Sequence, residues 1–270
     1  YMTSCICGKN KDKQENVATE INEIQQNIED TLDTINNIKI DIQSIIDEIK
    51  NIKTLFYIII FATSLSACKI DFEGDIYTSD LMDVLENRTQ IDIPMIVSFQ
   101  VSSCDEDLYD LHSTLSDYFL EYSYIGCEVG NDFMSYVTSR VRVPINSSQD
   151  DFENTDSLIG YLVQEFDDGI YVYTMLNQLS FDMLSNYVES QTFQSLDLSE
   201  SSLIVNVHND LRYLNLSVFP GFVDGDPTVY VEDYEMEKRD ILTILNSDSS
   251  AAHLQIYGWS PIFYIQNNQI

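Results

Sequence analysis

Apolar residues recur along this chain with two periods, and the change of period divides it. Near the start they fall at Ile21, Ile24, Ile28, Ile35, Ile38, Ile42, Ile45, Ile49 and Ile52, with Thr31 filling the one gap. Steps of three and four residues mark a coiled-coil seam, and isoleucine at both seam positions favours three or four strands over two. The pattern predicts a long N-terminal helix that associates with a protein partner or with itself through its Ile21–Ile52 seam. A continuous apolar run then fills residues 55–62. It is too short to span a bilayer comfortably, since a spanning helix needs about 20 apolar residues.

Beyond Cys68 the period drops towards two. Residues 70–77 alternate as a strand, and Thr78-Ser79-Asp80 offers a helix cap ahead of Leu81, Val84 and Leu85. Residues 92–101 read as a strand with Pro94 near its start. Ser103 begins a helix whose first turn is acidic (Asp105, Glu106, Asp107), which suits the helix dipole. Its stripe is Leu108, Leu111, Leu115 and Tyr118 or Phe119, and residues 133–143 form the next strand.

Residues 146–157 are polar and read as a linker. Strands at 161–166 and 170–175 then flank Asp167-Asp168-Gly169, a hairpin signal. Ser180 begins a helix carrying Phe181, Leu184 and Val188. Strands at 203–208 and 212–219 flank Asn209-Asp210 as a second hairpin, and 229–237, 241–245, 253–257 and 262–265 supply the rest.

The expected fold class is therefore α+β. A long, coiled-coil-like N-terminal helix precedes a strand-helix-strand-helix-strand unit and a strand-rich antiparallel C-terminal half. The corresponding divisions are 1–53, 54–67, 68–146 and 158–270.

The apolar run has a distinctive setting. Lys50 and Lys53 precede it, and Leu65-Ser66-Ala67-Cys68 follows it. Basic flank, apolar run, small residues and cysteine, in that order, resemble a bacterial lipoprotein signal peptide with its lipobox. The resemblance implies that Cys68 is diacylated, that the chain is cut after Ala67, and that the new amino terminus is acylated in turn. Two or more acyl chains hold a protein stably at a membrane, where one does not. Lys69, in place of an aspartate, resembles the pattern sorted to the outer membrane, which implies its periplasmic face.

Such signals begin a few residues before the apolar run, whereas some fifty residues precede this one. Three explanations compete: a cytoplasmic tail removed by cleavage, an uncleaved anchor, or a start near Ile52. More broadly, Cys68-Lys69-Ile70-Asp71-Phe72-Glu73-Gly74-Asp75-Ile76-Tyr77-Thr78-Ser79-Asp80-Leu81 resembles the mature start of small, uncharacterised lipoproteins of bacteria and prophages. That resemblance implies one exported unit from Cys68 onward. It carries no activity and no functional residues across.

Charge narrows the partners. There are 13 basic and 45 acidic residues, for a net charge of −32. Such a surface repels nucleic acid and anionic lipid heads. High aromatic content, 17 Tyr and 13 Phe, argues for a packed core and against disorder beyond residue 70. On the exported, oxidising side, Cys104 and Cys127 make an even pair and are expected to form a disulfide. Cys5 and Cys7 precede the signal and have no Cys or His nearby to complete a zinc site.

Candidate chemistry is thin. His112, His208 and His253 are far apart and match no metal or triad spacing. No Gly-x-Ser-x-Gly and no phosphate-binding glycine loop occurs. Asp224-Gly225-Asp226 resembles part of a calcium loop but lacks its remaining acids, so a hairpin turn explains it more simply. Glu165 with Asp167-Asp168 reads as a solvated turn. The sequence therefore leads to a lipid-anchored envelope protein, non-catalytic, that binds or scaffolds a partner, with no cofactor or metal. The alternatives are an envelope hydrolase using paired carboxylates and a membrane-anchored coiled-coil structural protein.

Overall fold

The computed structural model describes residues 68–101, 103–104, 108–130, 134–192 and 195–266, together with scattered positions between 26 and 50. The chain divides into two units, Tyr1–Leu65 and Ser66–Ile270. Among the described residues the second is one large sheet with five α-helices and a short 3-10 helix, Leu198–Glu200.

Its strands are β1 (Ile70–Tyr77), β2 (Ile91–Val101), β3 (Leu120–Val129), β4 (Ser135–Asn146), β5 (Ile159–Phe166), β6 (Gly169–Leu176) and β7 (Leu203–His208). There follow β8 (Leu214–Val218), β9 (Gly221–Val223), β10 (Asp226–Thr228), β11 (Glu232–Met236), β12 (Ile241–Asn246) and β13 (Trp259–Gln266). The helices are α1 (Thr78–Asn87), α2 (Tyr109–Ser116), α3 (Gln149–Glu153), α4 (Gln178–Thr192) and α5 (Asp248–Tyr257).

Hydrogen-bonded neighbours follow the path β10-β9-β12-β7-β1-β2-β4-β5-β6-β13-β8-β11, with β3 added to β4. The two ends of this path are tied by short links. Phe219 and Pro220 alone separate β8 from β9, and residues 229–231 separate β10 from β11. With Cα atoms 3.8 Å apart, the first link holds its strands within about 11 Å. The sheet must therefore curl round on itself, and it forms a nearly closed, barrel-like wrap. Thr228 and Tyr234 hydroxyls meet across the ends at 3.4 Å.

Alternation fills the wrap. Ile70, Phe72 and Ile76 of β1, Val97 and Phe99 of β2, Val141 and Val143 of β4, and Leu203, Val205 and Val207 of β7 are all buried. Each large aliphatic side chain so placed contributes roughly 1.5–3 kcal/mol. Gly74 also sits on the buried face of β1. A Cβ there would stand 3.0 Å from Met95 Cε, so glycine leaves the room that Met95 occupies. Helix α1 follows β1 directly, sends Leu81, Val84 and Leu85 into the same core, and packs on β1, β4 and β5.

Within the path, β1 and β7 pair in parallel at a constant offset of 131 residues. Ile70 N–H donates to Ser201 Oγ, and Ser202 N–H to Asp71. The ladder then runs from Phe72↔Leu203 to Tyr77↔His208. At the same offset, Ser79 N–H donates to Asp210 Oδ1 at 2.9 Å. Asp210 also accepts from the hydroxyls of Thr78 and Ser79, so it caps α1 from 131 residues away. Burial alone would push the Asp210 pKa up. The hydrogen bonds from Ser79 and Thr78 together outweigh it and hold the carboxyl below the usual aspartate range. Its neighbour Asn209 is fully buried. Its amide donates to the carbonyls of Arg212, Met236 and Glu237, and its oxygen accepts from Leu211 N–H and Thr78 Oγ1.

The expected fold class is overturned. An α+β unit followed by a separate antiparallel half is not what forms: strands from both stretches interleave in one strand-rich sheet, with β7 between β1 and β12. No long N-terminal helix is found among the described residues. The described positions between 26 and 50 are helical singly or in pairs, and most of the isoleucine seam lies outside them. Asn209-Asp210 joins no hairpin, because β7 pairs with β1 and β12 while β8 pairs with β11 and β13. Residues 253–257, expected as a strand, belong to α5. That helix is capped by Ser247, whose Oγ accepts from Ser250 N–H, and it ends at Gly258 with φ 79°.

Two outcomes are expected. Asp210→Ala should lower stability by about 1 kcal/mol through loss of the cap. The wild-type contribution of Asp210 is fully present above the unfolded aspartate pKa of about 3.9 and is lost as pH falls through the lower folded value. In Asp210→Asn, urea unfolding should show a shallower loss of stability below about pH 4. An identical acid limb would show that Asp210 is not the group involved. For the second, Cys104 and Cys127 are joined by a disulfide, with Cα atoms 5.6 Å apart across a separation of 23 residues. Replacing both by serine should lower stability by about 3 kcal/mol. Amide exchange should rise in β3 before β4, because β3 pairs with β4 alone.

Candidate functional site

The strands that fill the core on one side carry aromatic rings on the other. In β6, Ile170 and Val172 point inward, so Tyr171 and Tyr173 face outward. In β13, Ile265 is buried and Tyr264 faces outward, directly across from Tyr171. The Tyr171 and Tyr264 rings stack with centroids 4.7 Å apart and planes at 13°. Phe219 joins them at 6.2 Å from Tyr264. Phe166 meets Tyr171 edge-on at 5.2 Å, and Tyr173 meets Trp259 at 5.8 Å with planes at 80°. His253 of α5 lies 4.8 Å from Trp259 and 4.5 Å from Tyr257. Eight rings thus form one contiguous row across β6, β13 and the start of the β8–β9 link. Trp259 and Phe166 remain 41% and 48% exposed, so the row is not sealed off as a second core.

A groove runs along this row beside α3. Gln149, Leu162, Gln164, Tyr173, Met175 and Trp259 enclose about 190 Å³. Phe152 of α3 packs against two of these lining residues, Leu162 and Met175. It can do so because Gly160 lies beneath it: a Cβ there would come within 2.7 Å of the Phe152 ring. Gln164 also borders a wider, polar hollow of about 650 Å³, lined by Arg88, Ser147, Glu165, Phe166 and Asp167.

The groove residues are uncharged, although the chain carries −32 overall. Tyr171 donates its hydroxyl proton to Asp168 at 2.8 Å. That hydrogen bond, helped by desolvation, pushes the Tyr171 pKa up to about 12. Burial likewise raises that of Tyr173. Both phenols therefore stay protonated and serve as neutral donors at ordinary pH.

The residues singled out from the sequence are dispersed. Cys68 is 3% exposed and forms an isolated bridge with Leu196: its N–H donates to Ser195 O and its carbonyl accepts from Asp197 N–H. The lipobox residues before it, and Cys5 and Cys7, lie outside the described residues. His112 Nδ1 lies 2.7 Å from the Tyr122 hydroxyl, which accepts from Ser139 Oγ at 2.9 Å. Burial lowers the His112 pKa and raises that of Tyr122. His208 pairs with Asp75 at 2.9 Å and stacks on Tyr77, while His253 Nδ1 binds Trp259 O.

Asp224 and Gly225 form a two-residue turn with φ of 50° and 90°, and Asp224 Oδ1 accepts from Thr243 N–H. Asp167-Asp168 is the β5–β6 turn, and Glu165 borders the polar hollow. The histidines are not brought together. Among the described residues no group of three His, Cys, Asp or Glu side chains is placed to hold a metal ion. No helix among them is long and apolar enough to cross a membrane.

The aromatic row was not singled out from the sequence. Its signal was there in Ile170-Tyr171-Val172-Tyr173, where rings occupy the outward positions that a solvated sheet face gives to polar residues. Compared with curated proteins and with solved structures, the chain matches none of them. Residues 70–269 do match a family model described as "Domain of unknown function (DUF7424)", and the chain belongs to that family.

Proposed function

We propose that this chain is a lipid-anchored protein of the bacterial cell envelope that acts by binding, with the aromatic row as its binding face. The observation that carries the reading is the row itself. A contiguous, partly exposed apolar patch on an otherwise acidic protein marks an interaction site. Tyrosine and tryptophan suit that role, since each offers a large apolar body and a polar tip.

The anchor rests on the order of basic flank, apolar run, small residues and Cys68. It gains support from position. Cys68 stands two residues before β1, and the family match begins at residue 70, so an acyl group there would sit where the folded unit starts. Its thiol is buried, and acyl chains on it need a way out to the membrane. Acylated Cys68 therefore leaves its bridge to Leu196, and the chain as far as Lys69 becomes the tether. Sorting to the periplasmic face of the outer membrane follows from Lys69 in place of aspartate.

Two measurements test the reading. Protein extracted from membranes should have the mass of a chain beginning at Cys68 plus its acyl groups, and Cys68→Ser should move to the soluble fraction. Unchanged retention of Cys68→Ser, with no acyl mass on the wild type, sinks the anchor. A photo-reactive residue placed at Trp259 should cross-link to envelope material in cells, whereas one at the exposed Ile241 of β12 should not. Equal cross-linking from both positions sinks the binding face.

A further inference from the structure

The groove beside α3 narrows the choice of ligand, on the footing that the aromatic row is the binding face. We infer that the groove takes a unit of a neutral glycan chain, which continues past Gln164 into the polar hollow. Charge is the first argument. Phosphate, carboxylate and sulfate ligands are held best by basic side chains, and none of the six groove residues is basic. A cationic ligand is held best where carboxylates add to aromatic faces, and none of the six is acidic. In a chain with 45 acidic residues, a groove free of them suits an uncharged occupant.

Ring geometry is the second argument. Tyr173 and Trp259 stand at 80° with centroids 5.8 Å apart, so the groove is bounded by two aromatic walls set nearly at right angles. A pyranose ring has C–H groups on its faces and hydroxyls around its rim. It therefore stacks on an aromatic face and hydrogen-bonds at its edge, the pattern of apolar lining with a few placed polar groups. Those polar groups are Gln149 and Gln164. A carboxamide donates through its nitrogen and accepts through its oxygen, and a sugar hydroxyl does both. Gln149 is braced by a hydrogen bond from its Nε2 to Glu153 at 2.8 Å.

Size is the third. At about 190 Å³ the groove is smaller than the roughly 300–1,000 Å³ of pockets that enclose a whole small molecule. It fits one unit of a chain. The hollow of about 650 Å³ that Gln164 also borders gives neighbouring units a polar path past Arg88, Glu165 and Asp167, where the guanidinium donates to sugar hydroxyls and the carboxylates accept from them.

Trp259 is the sole tryptophan of the chain, so its emission reports directly on the groove. The protein, folded from Cys68 onward with its disulfide intact, is titrated to millimolar concentration with neutral hexamers. These are β-1,4-linked glucose, β-1,4-linked N-acetylglucosamine and α-1,4-linked glucose, with the hexamer of galacturonic acid as an anionic control. At least one neutral hexamer should shift the emission saturably, and the anionic one should not. Tyr173→Ala should weaken binding about tenfold or more, equivalent to ~1.4 kcal/mol, and Tyr173→Phe should retain most of it. The Phe variant keeps the ring and so separates loss of stacking from loss of fold. No saturable shift with any neutral hexamer overturns the glycan assignment, as does an equal response to galacturonate. The binding face stands or falls separately: a face that cross-links in cells yet ignores every hexamer has another occupant.

Discussion

The parallel pairing of β1 with β7 is the constraint on which the rest of this molecule depends. It fastens residues 70–79 to residues 201–210 in a single unbroken register, from the Ile70–Ser201 contact to the Asp210 cap on α1. Without it, β1–β2–β4 and β12–β9–β10 would be separate sheets with open edges, each carrying unpaired backbone groups. With it, the short links between β8 and β9 and between β10 and β11 can be satisfied only if the whole sheet curls. Curling gives the sheet an enclosed face for its aliphatic side chains and a continuous outer face. A pairing this distant in sequence is also slow to form, since loop-closure entropy must be met before the contacts reward it. The polar bonds at Asn209, Asp210, Asp71 and Ser201 lock the register once it is found, because a slip by one residue would move every side chain of β1 to the other face.

Inner and outer faces are then given to different tasks by the same residue-by-residue alternation. On β6 and β13 the inner positions, Ile170, Val172, Phe263 and Ile265 among them, hold the core. The outer ones are rings that gain from stacking on each other at 4.7–6.4 Å but remain partly wet. The glycine at 160 belongs to this arrangement, since it lets Phe152 pack close to the strand, against the groove residues Leu162 and Met175. A residue chosen for packing therefore shapes the candidate site, and the fold and the binding face cannot be varied independently there.

Much of the local structure was legible in the sequence. The alternation of β1 and β2, the Asp167-Asp168 hairpin and the Asp224-Gly225 turn are local patterns, each set by residues next to one another. What failed was of two kinds. The stretch from His253 to Tyr257 alternates like a strand, but Ser247 and Gly258 cap it as a helix. The capping chemistry outweighed the period. Asn209-Asp210 has the composition of a hairpin turn, but both side chains are committed to distant partners, and no local pattern reveals that the next strand pairs elsewhere. The order of strands in the sheet was illegible for the same reason. The candidate face left little mark in the sequence because it consists of rings and amides, with no catalytic spacing of titratable groups.

The charge distribution ties these threads together. A net charge of −32 over the whole chain makes the protein self-repelling and turns away anionic surfaces, including the lipid heads beside which a lipid-anchored protein would sit. An anchor at Cys68 then has to be covalent, because electrostatics alone would push the unit away from the bilayer. For a chain tethered at Cys68, as proposed, the same repulsion would hold the folded unit off the bilayer surface. Against that acidic background, the groove between α3 and Trp259 is lined by apolar side chains, rings and amides in place of carboxylates. Long-range charge thus disfavours anionic partners, and Tyr173, Trp259, Gln149 and Gln164 supply the short-range chemistry of the proposed face.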